Sequence, residues 1–272
     1  MARKRLTQIF PFLLPLRVWQ KNLFFRITCY FDKNNYAKKV GELLPYECSH
    51  AKTLMINDHS GYDMLYQENK VDNLKLTSKT LNKILIYPGE TFSFCLLIQK
   101  AKKYGKYKDG LVLIDGKIVV KKGGGICQIS NLLYYLFLMS PLTIVERHGH
   151  RVKSLPNNEK DALEGVDATI NSGWLDLKVR NDTKDIYQIV IDFDDAYMYG
   201  CLLTNKLPMI DYEIINSNLK YFSKNEKIYE SVSVVRVTRD KNTHEIVKSE
   251  NLYDEVTQVT YKLSNDIFIE KR

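Results

Sequence analysis

The sequence of 272 residues lacks the features that mark several well-known classes of protein. No apolar run approaches the roughly 18 residues that a membrane-spanning helix needs. The 5 cysteines are odd in number, widely spaced and without a CxxC pair, which excludes a disulfide framework and a zinc ribbon. Walker, Rossmann, GxSxG and HExxH motifs are absent, as are internal repeats. What remains is a chain with 44% hydrophobic residues, enough for a substantial core.

Targeting signals are also missing from the beginning of the sequence. The short apolar stretch there is interrupted by Pro11 and Pro15, and no small-residue cleavage site follows it. We therefore expect neither a signal peptide nor a transmembrane helix. Because unpaired cysteines fit a reducing compartment, we predict a cytoplasmic protein, with inner-leaflet association as an added possibility.

Positive charge is in excess only at the N-terminus. Residues 1–40 carry nine Lys or Arg and one acid, Asp32, whereas residues 41–272 hold 31 basic and 31 acidic side chains. A nucleic-acid-binding domain would spread its positive charge over a contact face. We therefore expect no nucleic-acid partner.

The basic segment also shows helical periodicity. Pro15 is typical of a helix start, and an apolar stripe then recurs at helical spacing: Leu16, Trp19, Leu23, Ile27, Tyr30 and Phe31. An amphipathic helix of this kind usually packs its stripe on the core of its own protein, and we adopt that interpretation first. The alternative is peripheral contact of residues 1–40 with an anionic membrane surface.

The remaining pattern predicts an α+β fold, mostly antiparallel sheet packed with a central helix opened by a glycine-rich loop. The Asp115-Gly116 turn predicts a β-hairpin, and an apolar run that ends before Ser140-Pro141 predicts the central helix. A short helix is expected over 99–104, and strands over 142–145, 166–170, 175–180, 187–193, 197–203, 229–239 and 246–251. We divide the chain into a basic amphipathic helical segment (1–45), an α+β domain (46–210) and a C-terminal β extension (211–272).

The strongest chemical motif is a run of three glycines followed by a cysteine at the start of the central helix. The glycines allow the backbone to approach a ligand, and the helix dipole lowers the pKa of a thiol in the first turn. The amides of Gly125 to Gln128 are candidate donors to an oxyanion. Residues 100–122 add eight lysines against two acids, a setting that attracts a carboxylate or phosphate. The plainer interpretation is a tight turn with Cys127 as a small buried hydrophobe.

A second cluster follows the helix. Glu146, His148 and His150 alternate, so that a strand would place all three on one face. A histidine near the thiol would act as a general base or form a thiolate–imidazolium pair, and Asp167 on the next strand would orient it. The catalytic candidates are Cys127, His150, His148, Asp167 and Gln128; the ligand-binding candidates are Gly123, Gly124, Gly125, Glu90, Glu146 and Ser130.

Zinc binding is the rival chemistry for the same residues. Cys127, His148 and His150, with a carboxylate, are acceptable zinc ligands. The lysine excess opposes a dication and no second cysteine lies nearby. We therefore predict no metal and no cofactor, and keep zinc as the alternative.

Three strings resemble the VanW family: PGETFSF from Pro88, GGGICQIS from Gly123 and SPLTIVERHGH from Ser140. The likeness extends over nearly the whole chain. It implies a part in glycopeptide resistance or cell-wall biology. Together with the residues above, it leaves two functions open. One is a Cys–His acyl hydrolase or transferase acting on peptidoglycan peptides or precursors. The other is a non-catalytic module that binds an anionic cell-wall or lipid-linked ligand.

Overall fold

The structure, a computed structural model, describes residues 10–58, 61–114, 117–154, 163–264 and 267–271. Four α-helices lie in these ranges: α1 (Leu14–Phe31), α2 (Met64–Leu81), α3 (Phe94–Ile98) and α4 (Cys127–Leu138). The strands are β1 (Asn35–Tyr36), β2 (Tyr46–Leu54), β3 (Leu85–Ile86), β4 (Glu90–Ser93), β5 (Asp109–Ile114), β6 (Lys117–Lys122), β7 (Thr143–Glu146), β8 (Val152–Lys153), β9 (Lys178–Arg180), β10 (Tyr187–Phe193), β11 (Tyr197–Thr204), β12 (Ile210–Lys224), β13 (Lys227–Asp240), β14 (Ile246–Val259) and β15 (Ile269–Lys271).

The described strands form four sheets. Two have four strands each, in the orders β1-β4-β9-β7 and β2-β11-β10-β3. A third has the order β15-β12-β13-β14-β8 and is built on the long β12–β13–β14 meander, and the fourth is the β5–β6 hairpin. Pairing is antiparallel except between β1 and β4, β12 and β15, and β8 and β14. The predicted α+β class, rich in antiparallel sheet, is confirmed.

Helix α4 occupies the centre of the core, as predicted. Its apolar residues from Ile129 to Leu138 are almost all buried, and the Phe137 ring packs on Phe92 with centroids 5.3 Å apart. A Cβ at Gly200 on β11 would lie 2.8 Å from Leu136, so the glycine permits the close approach of helix and sheet. Burial of this apolar face is the main force that fixes α4, and with it the residues at its first turn.

Several predicted elements differ from those observed. Residues 166–170 form a loop instead of a strand, and the strand expected over 175–180 is reduced to β9. The helix expected over 99–104 is a 3-10 turn at Ala101–Lys103 that follows α3. Helix α2 was not predicted; its N-terminus is capped by Asp63, which accepts a hydrogen bond from Leu65 N. The β5–β6 hairpin is confirmed, although its Asp115-Gly116 turn lies outside the described residues.

Helix α1 is present, but the expected packing of its apolar stripe is wrong. Cys29 is its buried residue, and Asn22 bonds Ser172 at 2.7 Å between Oδ1 and Oγ. The stripe lies on the opposite side of the helix at about 100° per residue, and its members are exposed, from 40% at Leu23 to 83% at Tyr30. No described helix combines the length and apolar character needed to cross a membrane.

Candidate active site

Cys127 begins α4 and faces a cavity of about 530 Å³. The preceding turn needs glycine, because Gly123 and Gly125 have φ angles of 78° and 87°. The middle glycine is required for a different reason. A Cβ at Gly124 would lie 2.1 Å from the Gly110 carbonyl carbon, so the turn and β5 are in direct backbone contact.

A buried asparagine locks this contact in place. The Asn73 amide donates hydrogen bonds to Gly124 O and Lys108 O, each at 3.0 Å, and its Oδ1 accepts from Lys108 N at 2.8 Å. The side chain comes from α2 and is 1% exposed. It therefore holds the hairpin that forms one wall of the cavity to the turn that carries Cys127.

The thiol of Cys127 hydrogen-bonds the imidazole of His150, and both side chains line the cavity. His150 Nδ1 bonds Asp167 Oδ2. The same carboxylate oxygen accepts the backbone N–H of His150 at 2.8 Å. Nucleophile, base and orienting carboxylate thus form one chain of hydrogen bonds, the arrangement used by cysteine and serine acyl-transfer enzymes.

The electrostatics of this chain favour a thiolate–imidazolium pair. Burial raises the pKa of the Cys127 thiol, but the hydrogen bond and charge of His150 outweigh it, and the pKa falls below its ordinary value. Burial likewise opposes the charge on His150, yet Asp167 and Cys127 raise its pKa to about 10. The uncapped N-terminus of α4 adds a positive dipole end next to the sulfur.

Arg147 holds the orienting carboxylate and was not among the predicted site residues. Its Nη2 donates to Asp167 Oδ1 at 2.6 Å, and its Nε donates to Asp167 O at 2.6 Å. Its Nη1 pairs with Glu255 Oε2 at 2.5 Å, and its guanidinium lies between the rings of Tyr134 and Tyr253, 5.2 and 5.0 Å from their centroids. One sequence pattern could have indicated a separate role for Arg147, because strand alternation would place its side chain on the face opposite the histidines.

The three-residue alignment predicted for Glu146, His148 and His150 is wrong. Strand β7 ends at Glu146, and its pairing with β9 shifts register after Ile144, which breaks the alternation. His148 Nε2 lies 3.0 Å from Glu146 Oε1, and Glu146 also pairs with Lys178 at 3.0 Å. The structure therefore brings His150, not His148, to the thiol.

The other predicted site residues have structural partners. Both hydrogen bonds of the Gln128 amide nitrogen go to β2, to Leu54 O at 2.6 Å and Thr53 Oγ1 at 3.0 Å. Gln128 N donates to Gly125 O, so this amide is not available to an oxyanion, whereas the described residues offer no acceptor for the Cys127 N–H.

Ser130 and Glu90 lie away from the ligand face. Ser130 is fully buried, and its Oγ donates to Ala168 O at 2.6 Å and to Cys127 O at 2.9 Å. Glu90 accepts from Tyr87 N at 3.1 Å within its own turn and does not contact the glycine loop.

The lysines that line the cavity differ from those predicted. None of the eight lysines of residues 100–122 lines it; the lysines that do are Lys52, Lys70 and Lys153. The hairpin supplies part of its apolar lining, through Leu111, Val112, Leu113 and Ile118. The lysine patch predicted from sequence is therefore replaced by lysines from other elements.

Metal binding was the rival chemistry for these residues. Within the described ranges, no three or more His, Cys, Asp and Glu side chains are grouped to hold a metal ion. His148 is engaged with Glu146 and does not join the Cys127–His150 contact. The expectation of no metal, with zinc as the alternative, stays a prediction.

Comparison with known proteins decides the family. A family model described as "VanW like protein" matches residues 69–203. The Vancomycin B-type resistance protein VanW of Enterococcus faecalis (strain ATCC 700802 / V583) is 46% identical over 272 residues, which is 100% of this chain and 99% of the relative. The chain belongs to the VanW family. The family predicted from the motifs is thus confirmed, and the name of this relative records vancomycin B-type resistance for that protein.

A second relative is more distant. The Uncharacterized protein YoaR of Bacillus subtilis (strain 168) is 27% identical over 193 residues, 71% of this chain and 58% of the relative. No solved structure matches the chain. The VanW family segment contains Cys127, His150 and Asp167, whereas Tyr253 and Glu255, which hold Arg147, lie beyond it.

Proposed function

We propose that this VanW family member is a cysteine-dependent acyl hydrolase or acyltransferase acting on cell-wall peptides or precursors, in the context of glycopeptide resistance. The observation that carries the proposal is the hydrogen-bonded series Cys127–His150–Asp167 at the edge of the cavity. The cavity volume of about 530 Å³ suits a short peptide segment. The resistance context comes from the relative that is 46% identical over the full chain.

The chemistry follows from these groups. The Cys127 thiolate attacks the carbonyl carbon of the substrate; a C–S bond forms, and the carbonyl electron pair moves to oxygen. The Cys127 N–H, which has no acceptor among the described residues, and the positive end of α4 stabilise this oxyanion. The His150 imidazolium donates its proton to the leaving amine as the C–N bond breaks, which leaves a thioester on Cys127.

The second half of the cycle releases the acyl group. Neutral His150 accepts a proton from water or from an acceptor amine, which attacks the thioester carbonyl. The C–S bond breaks, and the thiolate–imidazolium pair is restored. Asp167 stays ionised throughout and holds His150 in the tautomer and orientation that both steps need.

The test is capture of the covalent intermediate. The full chain is incubated with synthetic peptidoglycan stem peptides, and intact-protein mass spectrometry follows an acyl adduct on Cys127 while chromatography follows product. The proposal expects adduct and product with the natural chain and neither with Cys127→Ala. Unchanged product formation by Cys127→Ala would refute it.

Binding without turnover identifies the non-catalytic alternative. If the natural chain and Cys127→Ser bind the peptides equally and neither forms product, the cavity is a binding site alone. The enzyme proposal is then overturned.

A further inference from the structure

Among the described residues, one cation that lines the cavity, Lys70, has no polar partner. Lys70 lies on α2 with its stem against the glycine turn, where a Cβ on Gly125 would be 2.2 Å from Lys70 Cγ. No hydrogen bond or ion pair to its ammonium is found among the described residues, and burial lowers its pKa to about 8. A half-buried ammonium with no paired carboxylate is costly unless an anion binds to it.

The other two lysines of the cavity are already engaged. Lys153 pairs with Glu164 and with Glu230, the latter at 3.3 Å. Lys52 lies over the Tyr197 ring, 4.5 Å from its centroid. Among the described lysines that line the cavity, Lys70 has neither an ion pair nor a ring contact, and one such cation suits the single negative charge of a carboxylate better than a phosphate dianion, which attracts several donors.

We infer that Lys70 binds a carboxylate of the substrate and so selects acyl donors that carry a free carboxylate near the scissile bond. The inference rests on the acyl-transfer function proposed above. Substrate selectivity then comes from α2, a helix that contributes none of Cys127, His150 and Asp167. The aliphatic part of the Lys70 side chain packs over Gly125, and Lys70 lines the same cavity as Cys127.

The test compares two alkylating reagents of nearly equal size, iodoacetate and iodoacetamide. In both, the Cys127 thiolate forms a C–S bond as iodide leaves, and the reagents differ only in a carboxylate against an amide. The ratio of their rates at Cys127, read by mass spectrometry, should fall about tenfold in Lys70→Met, as expected for loss of one charged hydrogen bond. Lys70→Arg should keep the ratio.

The matched control is Lys79→Met, an exposed lysine on the same helix, which should leave the ratio unchanged. An unchanged ratio in Lys70→Met would overturn the inference while leaving the nucleophile intact. Slow reaction of Cys127 with both reagents in the natural chain would instead overturn the proposed function. The two failures are thus distinguishable.

A second, independent observation concerns α1. The stripe that should have packed on the core is exposed, with Trp19 at 61% and Phe31 at 72%. Helix α1 contains no acidic residue, and at about 100° per residue Arg17 and Arg26 flank the stripe on its two sides. An apolar stripe bordered by cations matches the boundary between the acyl chains and the anionic headgroups of a bilayer.

We propose that α1 lies in the surface of a bilayer that contains anionic lipid. Flotation of the full chain with vesicles tests this, using phosphatidylcholine alone or with about a third phosphatidylglycerol. Binding should need the anionic lipid, weaken at high salt because the charges are exposed, and fall at least about tenfold in Trp19→Glu. Val247→Glu, at an exposed apolar position on β14, is the control that should still bind.

Three results would overturn this proposal. They are equal binding to neutral vesicles, no effect of Trp19→Glu, and no binding to either vesicle. Sedimentation of the free chain adds a direct alternative. If it dimerises and Trp19→Glu dissociates the dimer, a second copy covers the stripe instead of lipid.

Discussion

Replacing His150 by glutamine should strongly reduce the reactivity of Cys127 near neutral pH. Glutamine keeps a polar side chain of similar size but cannot carry the positive charge that lowers the pKa of the thiol. With that charge gone, burial is the largest influence left on the sulfur and raises its pKa. A thiol at its free value of about 8.5 is about 3% ionised at pH 7, so the alkylation rate should fall on the order of 30-fold.

The pH dependence of Cys127 alkylation tests the same reasoning in a second way. In the natural chain the pKa of Cys127 is lowered and that of His150 is raised to about 10, so the ion pair persists between the two values. The thiol should therefore react well below the pH of an ordinary cysteine. In His150→Gln the rate should recover only at alkaline pH, since hydroxide must then remove the proton.

The assay is iodoacetamide labelling from pH 5 to 10, read at each cysteine by mass spectrometry. His148→Gln is the matched control, because His148 bonds Glu146 and not the thiol, and its profile should equal that of the natural chain. Cys201, whose pKa burial raises to about 12, is an internal reference. Equal rates at pH 7 in His150→Gln and the natural chain would show that the imidazole does not ionise Cys127.

Three further changes probe the support of the site. Asp167→Asn removes the charge that sustains the imidazolium, so the alkylation midpoint of the thiol should rise by about one pH unit or more; an unmoved midpoint contradicts the orienting role. Arg147→Met leaves the partly buried Glu255 carboxylate without this cation and Asp167 with His150 alone, and should cost about 3 kcal/mol in urea unfolding, partly recovered when Glu255→Gln is added; a loss below about 1 kcal/mol would disagree. Gly124→Ala places a Cβ 2.1 Å from backbone and should cost about 2–3 kcal/mol of stability. Gly89→Ala has open space around it and is strained only by its φ of 76°, so it should cost about 1 kcal/mol. Thermal unfolding should show the larger loss of stability for Gly124→Ala.

Residue type and order were enough to predict much of the site. A cysteine after a glycine run at a helix start, with a histidine and an aspartate downstream, indicated the nucleophile, the base and the orienting group. The helix that carries Cys127 was also predictable, since its apolar run is bounded by glycine and proline. The catalytic role of these residues stays a proposal.

The choice between His148 and His150 was not predictable from the sequence. It depends on where β7 ends and on a register shift beside β9, which are set by tertiary pairing and not by local pattern. Lys70 was missed for a similar reason, because it lies on a helix that reaches Gly125 only in the folded chain.

The exposed apolar stripe of α1 shows a different limit of prediction from sequence. Periodicity identified the apolar stripe of α1 correctly but cannot say which way the stripe points.

The clamp made by Asn73 also has an evolutionary consequence. Because one side chain ties the β5–β6 hairpin to the turn before the nucleophile, a mutation that reshapes the hairpin wall at Leu111 also displaces the sulfur. A mutation on that side of the cavity therefore changes substrate selectivity and catalytic rate together.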